Sequence, residues 1–361
     1  ISLNIPEGVM TLNPYSIYNC KALSSVSLPQ SLTYGNYDGL SRNTSLKSII
    51  LPDNLVVANN FMRGCSRLES VQLPKNLKTI PSNMFSGCSS LKQLTIPESV
   101  TEIGSHAFEY CGLVSLTIPK NVTAIPSYMC SSCSSLESIS LPSGIRSIGD
   151  RAFTLCTSLK SLKVDGSGNE YSLNFPEGIT SIGTSAFYSC NLMTSIHVPS
   201  TLTDIKPSAF SASGITSVTV SQNNAKYETR DGFQGIVEKA EDRLIFGCRT
   251  AVIVPESITQ IGEYAYYNIP IDSIDLHEDI SYIGNYAFSE TRTLKTIISR
   301  APAPPALGTY NVFTVLASRG QLKVPAGSVE AYLASAWMSN SYGFLGYSEY
   351  RWSITELTAG E

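Results

Sequence analysis

A ladder of prolines sets the frame for this chain. They fall at Pro6, Pro29, Pro52, Pro74, Pro97, Pro119 and Pro142, in steps of 23, 23, 22, 23, 22 and 23 residues. The series resumes at Pro176, Pro199 and Pro255, and His277 takes the next proline position. Self-similarity at so short a period means a repeat architecture, in which no unit buries its apolar face until a neighbour stacks on it. One unit reads L-x-S-V-x-L-P-x-x-V-T-x-I-G-x-x-A-F-x-x-C-x-x-L, seen plainly over Pro97–Leu113, Pro142–Leu159 and Pro176–Met193.

Each part of the unit has a local meaning. The run L-x-S-V-x-L alternates as a short half-buried strand. Proline closes it, because proline donates nothing to a sheet ladder. V-T-x-I is a second short extended piece. Glycine follows it at Gly104, Gly149, Gly183, Gly262 and Gly284, but Pro81 and Pro126 take that place in two repeats. Proline cannot adopt positive φ, so the column calls for a tight bend without a donor, not for a left-handed backbone. The Ala–Phe pairs at Ala107, Ala152, Ala186, Ala209 and Ala287 suit a single helical turn. No segment has the length of a full periodic helix. The expected fold is an α/β, β-rich, right-handed solenoid of 22–23-residue coils with short strands and single helical turns. About twelve or thirteen coils spaced ~4.8 Å apart give a stack of about 60 Å.

Composition narrows the function. Apolar residues make up 42%, enough for a continuous core, whereas charged residues are only 15%, below the roughly 25% of ordinary domains. Lys+Arg 25 against Asp+Glu 29 leaves a net −4 without a basic cluster, which excludes a nucleic-acid partner. No apolar run approaches the ~18 residues of a membrane span. The chain opens at Ile1 inside a repeat, without a signal-peptide or lipidation pattern, so it reads as a mature or trimmed fragment.

The unit from Ile96 to Leu113 resembles the BspA-like, or Treponema pallidum-type, leucine-rich repeat of bacterial surface proteins. The resemblance covers residues 1–300, read as the solenoid domain, and 301–361 reads as a C-terminal capping segment whose Leu322–Trp337 is similar to the closing segment of such chains. Lys226–Val254 resembles the family's hairpin insert, placed at about residues 222–250, with Asp231–Gly232 as its turn. The resemblance implies a secreted or cell-surface location, allows a lipid anchor before Ile1, and implies binding of host or neighbouring-cell macromolecules. It carries no catalytic motif.

The repeat breaks in two places, where the proline step is 34: between Pro142 and Pro176, over Asp165–Glu170, and between Ser221 and Pro255. Insertions in a solenoid loop out on one face, which often binds. The segment from Ala301 turns aromatic, with Tyr332, Trp337, Tyr342, Phe344, Tyr347, Tyr350 and Trp352. A terminal layer needs such cover.

Seven of nine cysteines, Cys20, Cys65, Cys88, Cys111, Cys133, Cys156 and Cys190, occupy one column, where other repeats put Asn43, Ser213, Ile269 and Thr291. That reads as a small, half-buried position holding reduced thiols. Cys130 and Cys133 form a lone C-x-x-C with no second pair to complete a metal site. His106, His197 and His277 fall at different phases, and no catalytic motif joins them. Asp165-Gly-Ser-Gly-Asn169 lacks the glycine and glutamate of a calcium loop. No enzyme activity, metal or cofactor is expected.

The outward strand column reads Ser25, Ser48, Ser70, Gln93, Ser115, Ser138, Ser161, Ser195, Ser217, Ser273 and Thr296. A hydroxyl ladder is ordinary stacking chemistry, and a binding site needs a departure from it. Lys163 to His197 is that departure. The candidate surface is therefore Ser138, Ser140, Ser161, Lys163, Asp165, Asn169, Ser195 and His197. The expected function is a monomeric surface protein for protein–protein interaction or adhesion. A passive stalk or a glycan-binding module is the alternative.

Overall fold

The computed structural model describes residues 1–165, 172–340, 345–346 and 351–358. It resolves into two compact units: Ile1–Met193 with Asp204–Ala209, and Thr194–Thr203 with Phe210–Glu361. Each is a β-solenoid of coils about 23 residues apart.

In the first unit the strands pair in parallel, most with the strand one coil away, whereas Leu173–Asn174, in the first insertion, pairs with Ser161–Val164 through Leu162 and Leu173. Ser2, Ser25, Ser48 and Ser70 stand side by side, as do Ser115, Ser138 and Ser161. The residue after the serine points inward, so Val26, Ile49, Leu116, Ile139 and Leu162 are buried and Val71 half-buried, whereas Leu3 in the first strand stays exposed. This alternation holds the register, because a one-residue slip would expose the whole apolar column. After the strand the chain turns at the proline. The amide three residues on donates to the proline carbonyl at 3.0–3.4 Å, from Val9 on Pro6 to Ile179 on Pro176.

The second, two-residue strands form their own parallel ladder, as in Ala124–Ile125, Ser147–Ile148, Ser181–Ile182 and Asp204–Ile205. The glycine after them is not left-handed, as expected. The expectation of a bend without a donor fails, however. Gly104 donates its amide to the Ile80 carbonyl at 2.7 Å, and Gly262 donates to that of Leu244 at 2.8 Å. Close approach explains the residue type: a Cβ on Gly104 would stand 2.4 Å from the Ser82 amide, inside any tolerable contact.

The Ala–Phe pairs lie in runs of consecutive turns, which take the place of regular helical turns. Two residues in each run, four apart, are left-handed: His106 and Tyr110, Arg151 and Leu155, Ser185 and Ser189. A left-handed residue stops a helix from propagating, so the chain doubles back within one coil. The rings stack from coil to coil, Phe85 on Phe108 at 5.8 Å and Phe153 on Phe187 at 5.3 Å. Burying each contributes roughly 1.5–3 kcal/mol.

The cysteine column is deeper than the half-buried position expected. Cys65, Cys88, Cys111, Cys133, Cys156 and Cys190 are buried, and only Cys20 is exposed. Each of the six thiols donates to a main-chain carbonyl of the preceding coil, for example Cys133 Sγ to Phe108 O at 2.9 Å and Cys156 Sγ to Cys130 O at 3.1 Å. Asn43 does the same with its amide, to Ile17 O and Leu40 O at 2.7 and 2.8 Å. The column answers buried carbonyls that no strand neighbour reaches. Burial pushes the Cys65 thiol up to about 12 and raises Cys88, Cys111, Cys130, Cys156 and Cys190 as well, so these thiols stay protonated and unreactive.

In the second unit, Ser195–Val198 and Ser217–Val220 pair in parallel. The chain then reverses into antiparallel strands Tyr227–Glu228, Gly235–Glu238 and Arg243–Gly247. Asp231 and Gly232 are both left-handed, φ 52° and 73°, as a tight reversal requires. Arg243–Gly247 pairs in parallel with Gln260–Ile261, so the insert stays within a sheet. It also carries its own core in Tyr227, Phe233, Ile236, Val237, Leu244 and Phe246. His277 makes the proline-type turn, taking the amide of Ile280 at 3.3 Å. Its ring donates from Nε2 to Ile258 O and accepts the Asp279 amide at Nδ1.

Parallel strands Ser273–Leu276, Thr296–Ser299, Gln321–Val324 and Ser353–Glu356 follow. Among the described residues, helix occurs at Val329–Leu333 and, as 3-10 turns, at Ala336–Met338. Trp337 is buried against Phe313 and Tyr332 and donates Nε1–H to Pro305 O at 2.9 Å. These aromatic residues fill the interior of the last coils.

Candidate interaction surface

The strand face of the first unit follows directly from the repeat. Alternation turns the serine position of each strand, and the one two residues on, outward, and parallel pairing lines those positions up. Ser138 therefore stands beside Ser161, and Ser140 beside Lys163. The preceding column carries opposite charges on neighbouring coils: Glu137 and Lys160 meet at 3.1 Å. Exposed as both are, such a pair is worth a few tenths of a kcal/mol and serves the stacking.

Four of the eight candidate residues, Ser138, Ser140, Ser161 and Lys163, are thus brought together. Asp165 is engaged elsewhere. Its carboxylate accepts the Ser143 amide at 3.3 and 3.2 Å, at the turn of the coil below. Glu7 does the same for the amides of Gln30 and Ser31, and these bonds hold its carboxyl below the usual range despite some desolvation. Asp165 stands in register with Pro142 and staples the turn of the preceding coil, whereas Glu7, one place past its proline, staples that of the following coil. Asn169 lies outside the described residues. Ser195 and His197 belong to the second unit, paired with Ser217 and Thr219, and His197 Nδ1 lies 2.9 Å from Thr219 Oγ1.

The histidines have separate partners. His106 Nδ1 meets Glu109 Oε2 at 3.0 Å, and its ring stacks on Tyr128 at 4.5 Å. Among the described residues no three His, Cys, Asp or Glu side chains gather as metal ligands, and no helix is long and apolar enough to cross a membrane.

The sequence reading missed a second departure from regularity. The first position of the two-residue strands reads Thr11, Tyr34 and Val56 in register, with Met10 before them. Met10 and Val56 are each 60% exposed, and Tyr34 is 40% exposed. Farther on, the same column is Thr79, Glu102, Ala124, Ser147, Ser181 and Asp204. Tracking that column as the hydroxyl column was tracked would have found it. Beside it on the turn runs lie Tyr15, Tyr18 and Tyr37. The ring of Tyr15 meets the other two edge-on, at 5.2 and 5.0 Å.

Comparison with known proteins agrees with this architecture. The profile of the BspA type leucine rich repeat region, six copies long, matches residues 1–85, 56–171, 165–235 and 233–302. A leucine-rich repeat protein from Bacteroides ovatus is similar over 99% of this chain and 84% of its own, at 21% identity and TM-score 0.54. The T. pallidum leucine-rich repeat protein is similar over 54% of this chain and 78% of its own, at 27% identity and TM-score 0.38. A leucine-rich cell surface protein from Faecalibacterium prausnitzii is similar over 99% and 88%, at 20% identity and TM-score 0.46. No curated protein is detectably similar to the chain.

Proposed function

Because the chain belongs to the BspA-type leucine-rich repeat family, we propose that it is a non-catalytic, monomeric interaction protein, secreted or held at the cell surface, that binds a protein of a host or neighbouring cell. The observation that carries the reading is the strand face. Parallel strands present adjacent side chains on a flat run of small hydroxyls, and at Ser138, Ser140, Ser161 and Lys163 that run acquires a cation. Small side chains let a partner's backbone approach closely, and a single lysine among them supplies local difference. Few ionised groups need desolvation on contact, which lowers the opposing cost of association. No nucleophile–base pair or carboxylate constellation in the motifs argues for catalysis.

The test is a binding screen of the purified chain on matrix proteins, mucins and glycans, with Ser140→Arg and Lys163→Glu as surface variants. Saturable binding to a protein, weakened in both variants, supports the reading. A blank across the panel overturns it and leaves a passive stalk. Cutting out Lys226–Arg249 is a poor probe, because that segment contributes buried side chains.

A further inference from the structure

Aromatic pairs recur on the turn runs, and their geometry sorts them. In the second unit Tyr264 and Tyr286 lie parallel, 4.9 Å apart and 12° from coplanar. In the first unit His106 and Tyr128 lie 4.5 Å apart and 13° from coplanar, with the Arg151 guanidinium 5.6 Å from the Tyr128 centroid. Parallel stacking spends ring faces on neighbouring rings. Tyr264 also meets Tyr267 edge-on at 5.2 Å and 67°, so the N-terminal tyrosines differ in the pair that runs from coil to coil. Tyr15 crosses Tyr18 at 88° and Tyr37 at 73°. An edge-on contact covers one face of only one ring of the pair, whereas parallel stacking covers a face of each, and Tyr15 and Tyr37 are 49% and 39% exposed.

Polar groups of a particular kind stand around these rings. The hydroxyls of Tyr15 and Tyr37 are hydrogen-bonded to each other at 2.5 Å. Asp38 is oriented by Ser41, whose hydroxyl donates to Oδ1 at 2.6 Å, and by the Asn60 amide, which donates to Oδ2 at 3.4 Å. The Arg42 guanidinium sits 5.8 Å from the Tyr18 centroid. One carboxylate and one guanidinium cancel in net charge while offering planar, two-atom hydrogen bonding.

We infer that Tyr15, Tyr18, Tyr37, Asp38 and Arg42 form a binding site for a neutral carbohydrate. A pyranose has an apolar face of C–H bonds and a rim of vicinal hydroxyls. The open ring faces match the first, and Asp38, Arg42 and the tyrosine hydroxyls match the second. An aromatic contact adds to the area it buries. Because the cluster is balanced in charge, it gives no advantage to an acidic glycan. The site lies on the turn runs and not on the strand face, so it stands independently of the proposed protein partner.

The experiment titrates the full chain with cellotriose, maltotriose and N-acetyllactosamine, and with a sialylated and a sulfated oligosaccharide, by calorimetry and saturation-transfer NMR. At least one neutral sugar is expected to bind saturably, with Kd of roughly 1 mM or below. Tyr15→Ala and Tyr37→Ala weaken it at least ~10-fold, the equivalent of about 1.4 kcal/mol, and Tyr286→Ala leaves it unchanged. Circular dichroism and the thermal midpoint confirm that each variant is folded. Absence of saturable binding to every neutral sugar overturns the inference. Binding indifferent to both tyrosine variants, or confined to the acidic sugars, overturns it equally.

Discussion

Between Cys65 and Cys190 the first unit joins its buried coil faces with uncharged groups, thiols on carbonyls and phenyl rings stacked, and keeps its inter-coil ion pair, Glu137 with Lys160, at the exposed surface. Between Lys226 and Arg243 the second unit uses ions. Glu238 is paired with both Lys226 and Arg243, Arg243 reaches Glu241, and Arg230 joins Glu228 and Asp242. Topology explains the contrast. Parallel coils of one repeat set each residue beside its own equivalent, so a charged column faces its own sign unless the repeat alternates, as it does at Glu137 and Lys160. The antiparallel hairpin sets unlike residues opposite each other, with Glu238 across from Arg243. Attraction there comes from the topology itself and needs no alternation between repeats.

The largest test of the contrast lies in the stacked rings. Phe108→Ala removes a fully buried side chain next to Phe85. It should destabilise the protein by about 3–5 kcal/mol, measured by chemical denaturation. A loss under ~1 kcal/mol would mean that the carbonyl-bound thiols hold the coils without the rings.

Glu238→Gln tests the ionic region and should destabilise by about 2 kcal/mol. Burial alone would raise the Glu238 pKa, but Arg243 and Lys226 outweigh it and hold it below 4.5. Its contribution is therefore complete above the unfolded-state value and is lost as pH falls through the lowered folded value. Stability curves of the parent and the Gln variant should converge below about pH 4.5. Parallel curves down to pH 2 would show that the pair is not what the hairpin rests on.

Ser213 sharpens the comparison from the other side. It occupies the thiol column, yet its buried hydroxyl has no partner among the described residues. Ser213→Ala should stabilise the chain by up to about 1 kcal/mol, because a buried unbonded hydroxyl is a net penalty. A loss of stability in a thermal melt would show that the hydroxyl is satisfied after all. The smallest effect concerns Tyr15, whose hydrogen bond to Tyr37 raises its pKa to about 12. Tyr37→Phe should bring it back toward 10 in a spectrophotometric titration, with no change in stability. An unchanged titration would mean that the two hydroxyls do not meet.

Much of this was legible beforehand, for a physical reason. In a one-dimensional stack each coil touches only its neighbours, so outside the two insertions a 22–23-residue period names the strand partner of each residue. Ser138 beside Ser161 and Glu137 beside Lys160 follow from that arithmetic, and so does the burial of Phe153. His277 at a proline position was readable too, since the turn asks for a carbonyl acceptor and not for a pyrrolidine ring. The period does not say how the chain travels within a coil. Only the folded path showed that Gly104 gives its amide to Ile80, that the thiols point at carbonyls, and that Asp165 staples a turn. Only the path, too, turned the rings of Tyr15 and Tyr37 edge-on while those of Tyr264 and Tyr286 lie flat. Periodicity determines who is next to whom, whereas the direction in which each side chain finds its partner is decided by three-dimensional closure of the coil.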